Sequence, residues 1–147
     1  MKKLAKRSRS ETPVQLAALP YRTGKDGTVE VLLITSRGPG RWLIPKGWPM
    51  EGKEPHEAAA TEAYEEAGAL GDTGKTCIGR YASRKRLKSG DIDCQVDVYP
   101  LEVSRLKEKW PERAERARKW FKAKKAAALV EEPGLESLIL SVSTGQR

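Results

Sequence analysis

Apolar residues between Val29 and Ile34 occupy both phases of an alternating pattern. Val29, Val31 and Leu33 fall to one side, and Leu32 and Ile34 to the other. That predicts a strand buried on both faces. Residues 14–21 (VQLAALPY) and 28–35 (TVEVLLIT) read as two strands, and the turn at residues 24–27 (GKDG) joins them as a hairpin. Residues 91–103 alternate: Ile92, Cys94, Val96 and Val98 share one face, and Asp91, Asp93, Gln95 and Asp97 share the other. This predicts a half-exposed strand. A shorter strand is expected over 76–81, with 84–88 as the connection and 71–74 as a loop. Ala59, Ala63 and Ala67 recur at four-residue steps inside an Ala-rich run. Pro55 suits the first turn of that helix, and Gly68 suits its stop. Residues 106–118 read as partly helical, with Pro111 restarting the turn. Residues 124–130 read as a short helix. Leu135, Leu138 and Ile139 predict an amphipathic last helix, with a loose tail from Ser141. The order of strands, helix, strands, helix predicts an α/β sandwich. One domain is expected over residues 13–142, between a basic arm (1–12) and a tail (143–147). No internal repeat is present.

Charge narrows the partners. The 147 residues carry 28 Lys and Arg against 20 Asp and Glu, a net charge of +8. Such a chain attracts anions, whether nucleic acid, an anionic membrane or a polyphosphate. Its apolar runs are too short to span a bilayer, and its basic N-terminal stretch lacks the apolar core of a secretory signal, so no membrane partner is expected. Cys77 and Cys94 have no metal-binding spacing and read as thiols of a reducing, cytoplasmic setting. His56, in the first helical turn, reads as a surface residue rather than a ligand.

The chemistry concentrates on the Ala-rich helix. Glu62, Glu65 and Glu66 stand at i, i+3 and i+4, so their carboxylates share one face and repel. A hard divalent cation would neutralise them; a solvated acidic face is the bland alternative.

The flanking residues favour the cation. Residues 47–69 resemble the Nudix box, G-x5-E-x7-R-E-U-x-E-E-x-G-U, with Gly47, Glu62, Ala63, Glu65, Glu66, Gly68 and Ala69 in register and no gap. Lys53 and Thr61 stand where the family has Glu and Arg, a pair that braces the loop against the helix. Losing both together leaves no orphaned charge. The resemblance implies the Nudix fold, a mixed β-sheet sandwiched between α-helices, with the box as loop–helix–loop. It implies hydrolysis of a diphosphate linkage with Mg2+ or Mn2+ as cofactor. It also implies Glu62, Glu65, Glu66 and the Gly47 carbonyl as metal ligands, with Glu62 and Glu65 catalytic. Glu62 is the favoured general base, and Asp91, Asp93 and Asp97 are candidates outside the box.

Further stretches, 42–47 (WLIPKG), 98–101 (VYPL), 116–121 (RARKWF) and 126–130, are similar to the diphosphoinositol polyphosphate phosphohydrolase branch and its diadenosine polyphosphate relatives. That similarity implies a small, highly anionic polyphosphate substrate gripped by Arg22, Lys46, Arg84, Arg86, Arg116 and Arg118. Two other readings compete. Lys53 and Thr61 motivate a catalytically weak Nudix-fold module that binds an anion or RNA. The basic patches at 2–9 and 84–88 permit a nucleic-acid-binding protein, but no recognised nucleic-acid motif accompanies them, and this reading is not favoured.

Overall fold

A computed structural model describes residues 12–143. The expected basic arm therefore lies outside the described residues except for Thr12, and the expected tail except for Ser143. The chain begins with strands β1 (Val14–Thr23), β2 (Val29–Thr35), β3 (Trp42–Leu43) and β4 (Lys46–Gly47). Helix α1 (Pro55–Ala67) follows, then β5 (Ala69–Thr73), β6 (Gly79–Leu87), β7 (Gly90–Leu106) and β8 (Arg118–Lys122). Helices α2 (Ala123–Leu129) and α3 (Leu135–Ser143) end the described chain.

The strands form one mixed sheet in the order β3-β2-β1-β7-β5. On it β4 pairs with β1, β6 with β7 and β8 with β2. β1 runs parallel to β7, and every other pairing is antiparallel. β1 divides one of its edges between two partners. Its far end pairs with β2 (Tyr21 opposite Val31), and its near end pairs with β4 (Leu16 opposite Gly47). The candidate site is built where β4 takes over.

Helices cover both faces of the sheet. Leu19, Val31, Leu33, Val96 and Val98 pack beneath α2 and α3, together with Leu135 and Ile139. Leu16, Ala18, Leu32, Ile34 and Leu101 pack beneath α1 against Ala59 and Ala63. Val31, Leu32, Leu33 and Ile34 are fully buried, so β2 is covered on both faces as its pattern predicts. Ala58, Ala59, Ala63 and Ala67 are fully buried too, and their small side chains bring α1 close to the sheet.

Four sequence expectations are corrected. Residues 71–74 are not a simple loop: β5 pairs with β7 across a register shift between Leu70 and Gly71. Residues 84–88 are not the hairpin connection. β6 runs on to Leu87, with Arg84 opposite Asp93 and Arg86 opposite Asp91, so of this stretch only Lys88 lies in the turn. Cross-strand charge complementarity lets so basic a stretch be a strand. Residues 106–118 form no α-helix, because their polar groups bond to α1 instead. The Lys107 N–H donates to the Gly68 carbonyl (2.9 Å) and the Glu112 N–H to the Glu65 carbonyl (3.0 Å). Residues 141–143, expected to open a loose stretch, are helical, and Val142 is buried in the core.

Candidate active site

Helix α1 is fixed at both ends, which fixes the rotation of its carboxylates. At the start, the Glu54 N–H donates to the Glu57 carboxylate at 2.8 Å. At the end, Gly68 takes a left-handed conformation (φ +65°) and its N–H returns to the Tyr64 carbonyl. That geometry suits glycine because it has no Cβ. The terminal carbonyls, which have no partner within the helix, are taken by distant residues. The Trp110 indole N–H donates to Glu66 O (3.1 Å) and the Arg118 guanidinium to Ala67 O (2.7 Å). Arg118 also lies over the Trp110 ring, 3.8 Å from its centroid.

This rotation turns Glu62 and Glu66 toward β4. Glu66 is buried, at 6% exposure. The Lys46 backbone N–H donates to its Oε1 at 3.3 Å, and the Arg116 guanidinium stands 3.8 Å away. Glu62 lies against Gly47 so closely that a Cβ there would collide with its carboxylate. The two carboxyl groups are near enough to share a hydrogen bond. Burial pushes Glu62 up to about 8, and the Glu66 carboxyl adds to the effect, with smaller contributions from Glu65 and Glu112. Glu66 is also raised, chiefly by burial; Arg116 and the Lys46 N–H act against the rise.

A buried and a half-buried carboxylate held together are costly unless a proton or a cation joins them. Among the described residues, no three His, Cys, Asp or Glu side chains are gathered so as to hold a metal ion by themselves. Glu62 and Glu66 instead offer a paired oxygen face backed by the main chain at Gly47. That donor set fits a Mg2+-like ion, which uses few carboxylates and keeps several waters.

The other predicted residues divide into two groups. Lys46, Arg84 and Arg116 line a cleft of about 280 Å³ together with Glu66. Arg116 is largely committed within it: it pairs with Glu112 (2.7 Å) and donates to Thr35 O (3.0 Å). Arg118 is occupied in closing the end of α1, and Arg22 is set apart from the carboxylates. Arg22 stands six residues along β1 from Leu16, the partner of Gly47, a distance of roughly 20 Å at the usual strand rise. There it pairs with Glu30 (2.7 Å) and lies over Trp120. The side chain of Arg86 lies outside the described atoms. Asp93 and Asp97 are tied to Arg84 (3.0 Å) and Arg80 (3.1 Å) on the β6–β7 hairpin. Asp91 lines a neighbouring cavity with Arg37 and Arg41. His56 is half-buried in the first turn of α1, and both cysteines are free thiols.

Three residues that the sequence reading passed over stand at the site. Arg37 and Arg41 line the cleft. They bracket Gly38-Pro39-Gly40 in the connection between β2 and β3, and two arginines flanking a Gly-Pro-Gly turn are the sequence signal for them. Glu112 contributes to the charge at both Glu62 and Glu66. It was hidden because its segment read as helix.

A family model described as the NUDIX domain matches residues 13–140. The chain belongs to the NUDIX domain family. Its sequence is 35% identical over 118 residues to human diphosphoinositol polyphosphate phosphohydrolase 3-alpha, covering 78% of this chain and 67% of that one. It is 34% identical over 118 residues to diphosphoinositol polyphosphate phosphohydrolase 2 of Rattus norvegicus, covering 78% of this chain and 61% of the rat protein. In structure it is similar to the C. elegans Ap4A hydrolase, with a TM-score of 0.64 at 20% identity over 93% of this chain and 100% of that one. It is also similar to the NUDIX domain of Shewanella oneidensis NrtR complexed with ADP ribose, with a TM-score of 0.68 at 15% identity over 99% and 97% of the two chains. The two structural likenesses show the fold: a mixed sheet with helices on both faces. The chain is a Nudix hydrolase, an enzyme of a family that generally uses divalent metal ions.

Proposed function

We propose that this Nudix hydrolase cleaves a diphosphate linkage in a small, highly anionic substrate, either a diphosphoinositol polyphosphate or a dinucleoside polyphosphate, with Mg2+ or Mn2+. One observation carries the reading: Glu66, the partner of Glu62, lines a cleft whose remaining charged wall is cationic. Lys46, Arg37, Arg41, Arg84 and Lys85 line that cleft with Glu66. A phosphoanhydride carries dense negative charge, and a lysine ammonium or arginine fork is a natural partner for it. The relatives named as diphosphoinositol polyphosphate phosphohydrolases support the same substrate chemistry.

In this reading Glu62, Glu66 and the Gly47 carbonyl hold the metal, and Glu65, one turn from Glu62 on the same helix, adds to the acidic face. The bound ion would screen the phosphates and lower the pKa of a coordinated water. The chain's own groups do the rest. Lys46, Arg37, Arg41 and Arg84 hold the phosphates. Arg116 and the Lys46 N–H fix the Glu66 carboxylate. Glu62 is the group that takes a proton from the attacking water. The free thiols of Cys77 and Cys94 fit a cytoplasmic setting, and among the described residues no helix is long and apolar enough to cross a membrane.

The test is product release from diphosphoinositol polyphosphates, diadenosine polyphosphates, ADP-ribose and triphosphorylated RNA, each with Mg2+, Mn2+ or a chelator. Metal-dependent cleavage of one of the first two classes is expected. Binding without turnover under every metal would replace this reading with that of an inactive binding module.

A further inference from the structure

Beside the cationic cleft lies a second cavity of about 360 Å³ in which carboxylates outnumber cations. Ser83, Asp93, Glu131 and Glu132 line it. Arg41 and Arg84 line both cavities and so form the wall between them. Asp93 is neutralised by Arg84 at 3.0 Å. Glu131 is exposed, and Glu132 accepts a hydrogen bond from the Ser83 hydroxyl. Behind them stands Tyr81, only 4% exposed. Its hydroxyl and the Glu132 Oε1 are both buried without a hydrogen-bond partner. Burial, with Glu132 nearby, holds the Tyr81 phenol well above its ordinary pKa, so it stays a protonated donor.

A carboxylate accepts hydrogen bonds from hydroxyl groups and repels phosphate. With Arg84 paired to Asp93, Glu131 and Glu132 outnumber Arg41 there, so the cleft grows more acidic toward this end. We infer that the second cavity is a subsite for a hydroxyl-bearing, phosphate-free part of the substrate, a ribose-type vicinal diol. This rests on the reading of the cationic cleft as a phosphoanhydride site and narrows it. The substrate's phosphates then lie between its ends, as in a dinucleoside polyphosphate. A ring phosphorylated all round would press a phosphate against Glu131 and Glu132.

The test is equilibrium binding to the whole chain by calorimetry, in chelator and at about 0.15 M salt, where only close charges still act. The ligands are ADP, 2′,3′-dideoxy-ADP and inorganic tripolyphosphate. ADP is expected to bind roughly tenfold or more tightly than its dideoxy analogue, as in sites built to bond a hydroxyl. The double variant Glu131→Gln with Glu132→Gln is expected to narrow that ratio and to tighten tripolyphosphate. Glu131→Gln alone, at an exposed position, should tighten tripolyphosphate to a lesser degree, and it keeps the test available if the double variant does not fold. The inference is overturned if wild-type protein binds ADP and dideoxy-ADP equally, if ADP does not bind, or if the foldable variants leave tripolyphosphate unmoved or weaker. Because this assay contains no metal, its outcome is separable from hydrolysis. A chain that reads the hydroxyls without cleaving anything loses only the hydrolase reading. A chain that cleaves diphosphoinositol polyphosphates and ignores the hydroxyls loses only this inference.

Discussion

The Lys53 ammonium donates a hydrogen bond to the Thr61 hydroxyl at 3.1 Å, tying the loop before α1 to the middle of the helix. These are the two positions at which the chain departs from the Nudix box, and the departure has kept a bond in place of the family's charged pair. Thr61 also donates to the Glu57 carbonyl at 3.0 Å, so its hydroxyl is oriented by the helix itself.

The two positions are expected to be coupled. Lys53→Glu alone places a carboxylate beside Glu54 and near Glu57, and should destabilise. Adding Thr61→Arg should recover that loss and leave a coupling energy of about 0.2–1 kcal/mol, the range of exposed pairs. Denaturant unfolding of the wild type, both single variants and the double variant measures it. A coupling below about 0.2 kcal/mol would show that the two positions act independently.

Stability of the metal-free protein should fall as pH rises. Glu62 has its folded-state pKa raised from 4.5 to about 8, so the native state binds more protons than the unfolded chain within that window. The pH derivative of unfolding free energy follows unfolded minus native protons bound, so it is negative there. Glu66, also raised, acts in the same direction. Melting temperature in chelator should therefore decline between pH 5 and 8, by roughly 3 °C for each kcal/mol lost. Saturating Mg2+ should flatten or reverse the decline, because the cation stabilises the ionised pair. A chelated protein whose melting temperature rises over that range would contradict the coupled pair.

Glu66→Gln should abolish most metal-dependent turnover, by about 100-fold or more, while the fold persists. The amide oxygen can still accept from the Lys46 N–H, and Arg116 keeps its bond to Glu112. Circular dichroism and the melting transition report the fold, and calorimetry with Mn2+ reports the metal. Near-normal turnover at saturating Mg2+ would remove Glu66 from the ligand set.

Much of this was legible in the chain, and particular residues show why. The Val29–Ile34 pattern announced a strand buried on both faces because side-chain alternation survives any tertiary context. The box glutamates were legible through their fixed spacing on one helix. The segment before Ala117 was not, because its apparent helical character competed with a tertiary demand. Trp110 and the backbone at Lys107 and Glu112 are drawn to the carbonyls of α1, whose ends need partners from elsewhere in the chain. Sequence marks Arg22, Arg116 and Arg118 alike as cations. Only the fold reveals that Arg118 closes a helix and that Arg22 stacks on Trp120 at the far end of β1. Glu62 and Glu66 are different in kind: their spacing showed that they are neighbours, but it is burial that raises both carboxyl groups.

Arg118→Met should therefore behave as a stability variant rather than a substrate-binding one. It removes a charged hydrogen bond to the Ala67 carbonyl and the contact with Trp110. The expected cost is about 2 kcal/mol, within the range for hydrogen bonds to charged groups. Any loss of activity should appear in kcat, through the tilt of α1 beneath Glu62 and Glu66, with KM nearly constant. A large rise in KM at unchanged stability would return Arg118 to the substrate-binding group.

Gly47→Ala tests the closest approach in the site. Gly47 does not have the left-handed backbone that demands glycine; the constraint is space, since a Cβ would run into the Glu62 carboxylate. Either Glu62 swings out of its place beside Glu66 or β4 withdraws from β1, where Gly47 pairs with Leu16. The first costs less, because the end of a side chain moves more easily than a paired backbone. The expected result is a protein that folds with a melting temperature near that of the wild type, weaker Mn2+ binding and turnover reduced roughly tenfold or more. The pair would also be broken electrostatically. With Glu62 moved toward solvent, the decline of metal-free stability between pH 5 and 8 should become shallower than in the wild type. If Gly47→Ala keeps both full metal affinity and the wild-type pH dependence, then the contact between Gly47 and Glu62 does not position the carboxylate, and the glycine is there for another reason.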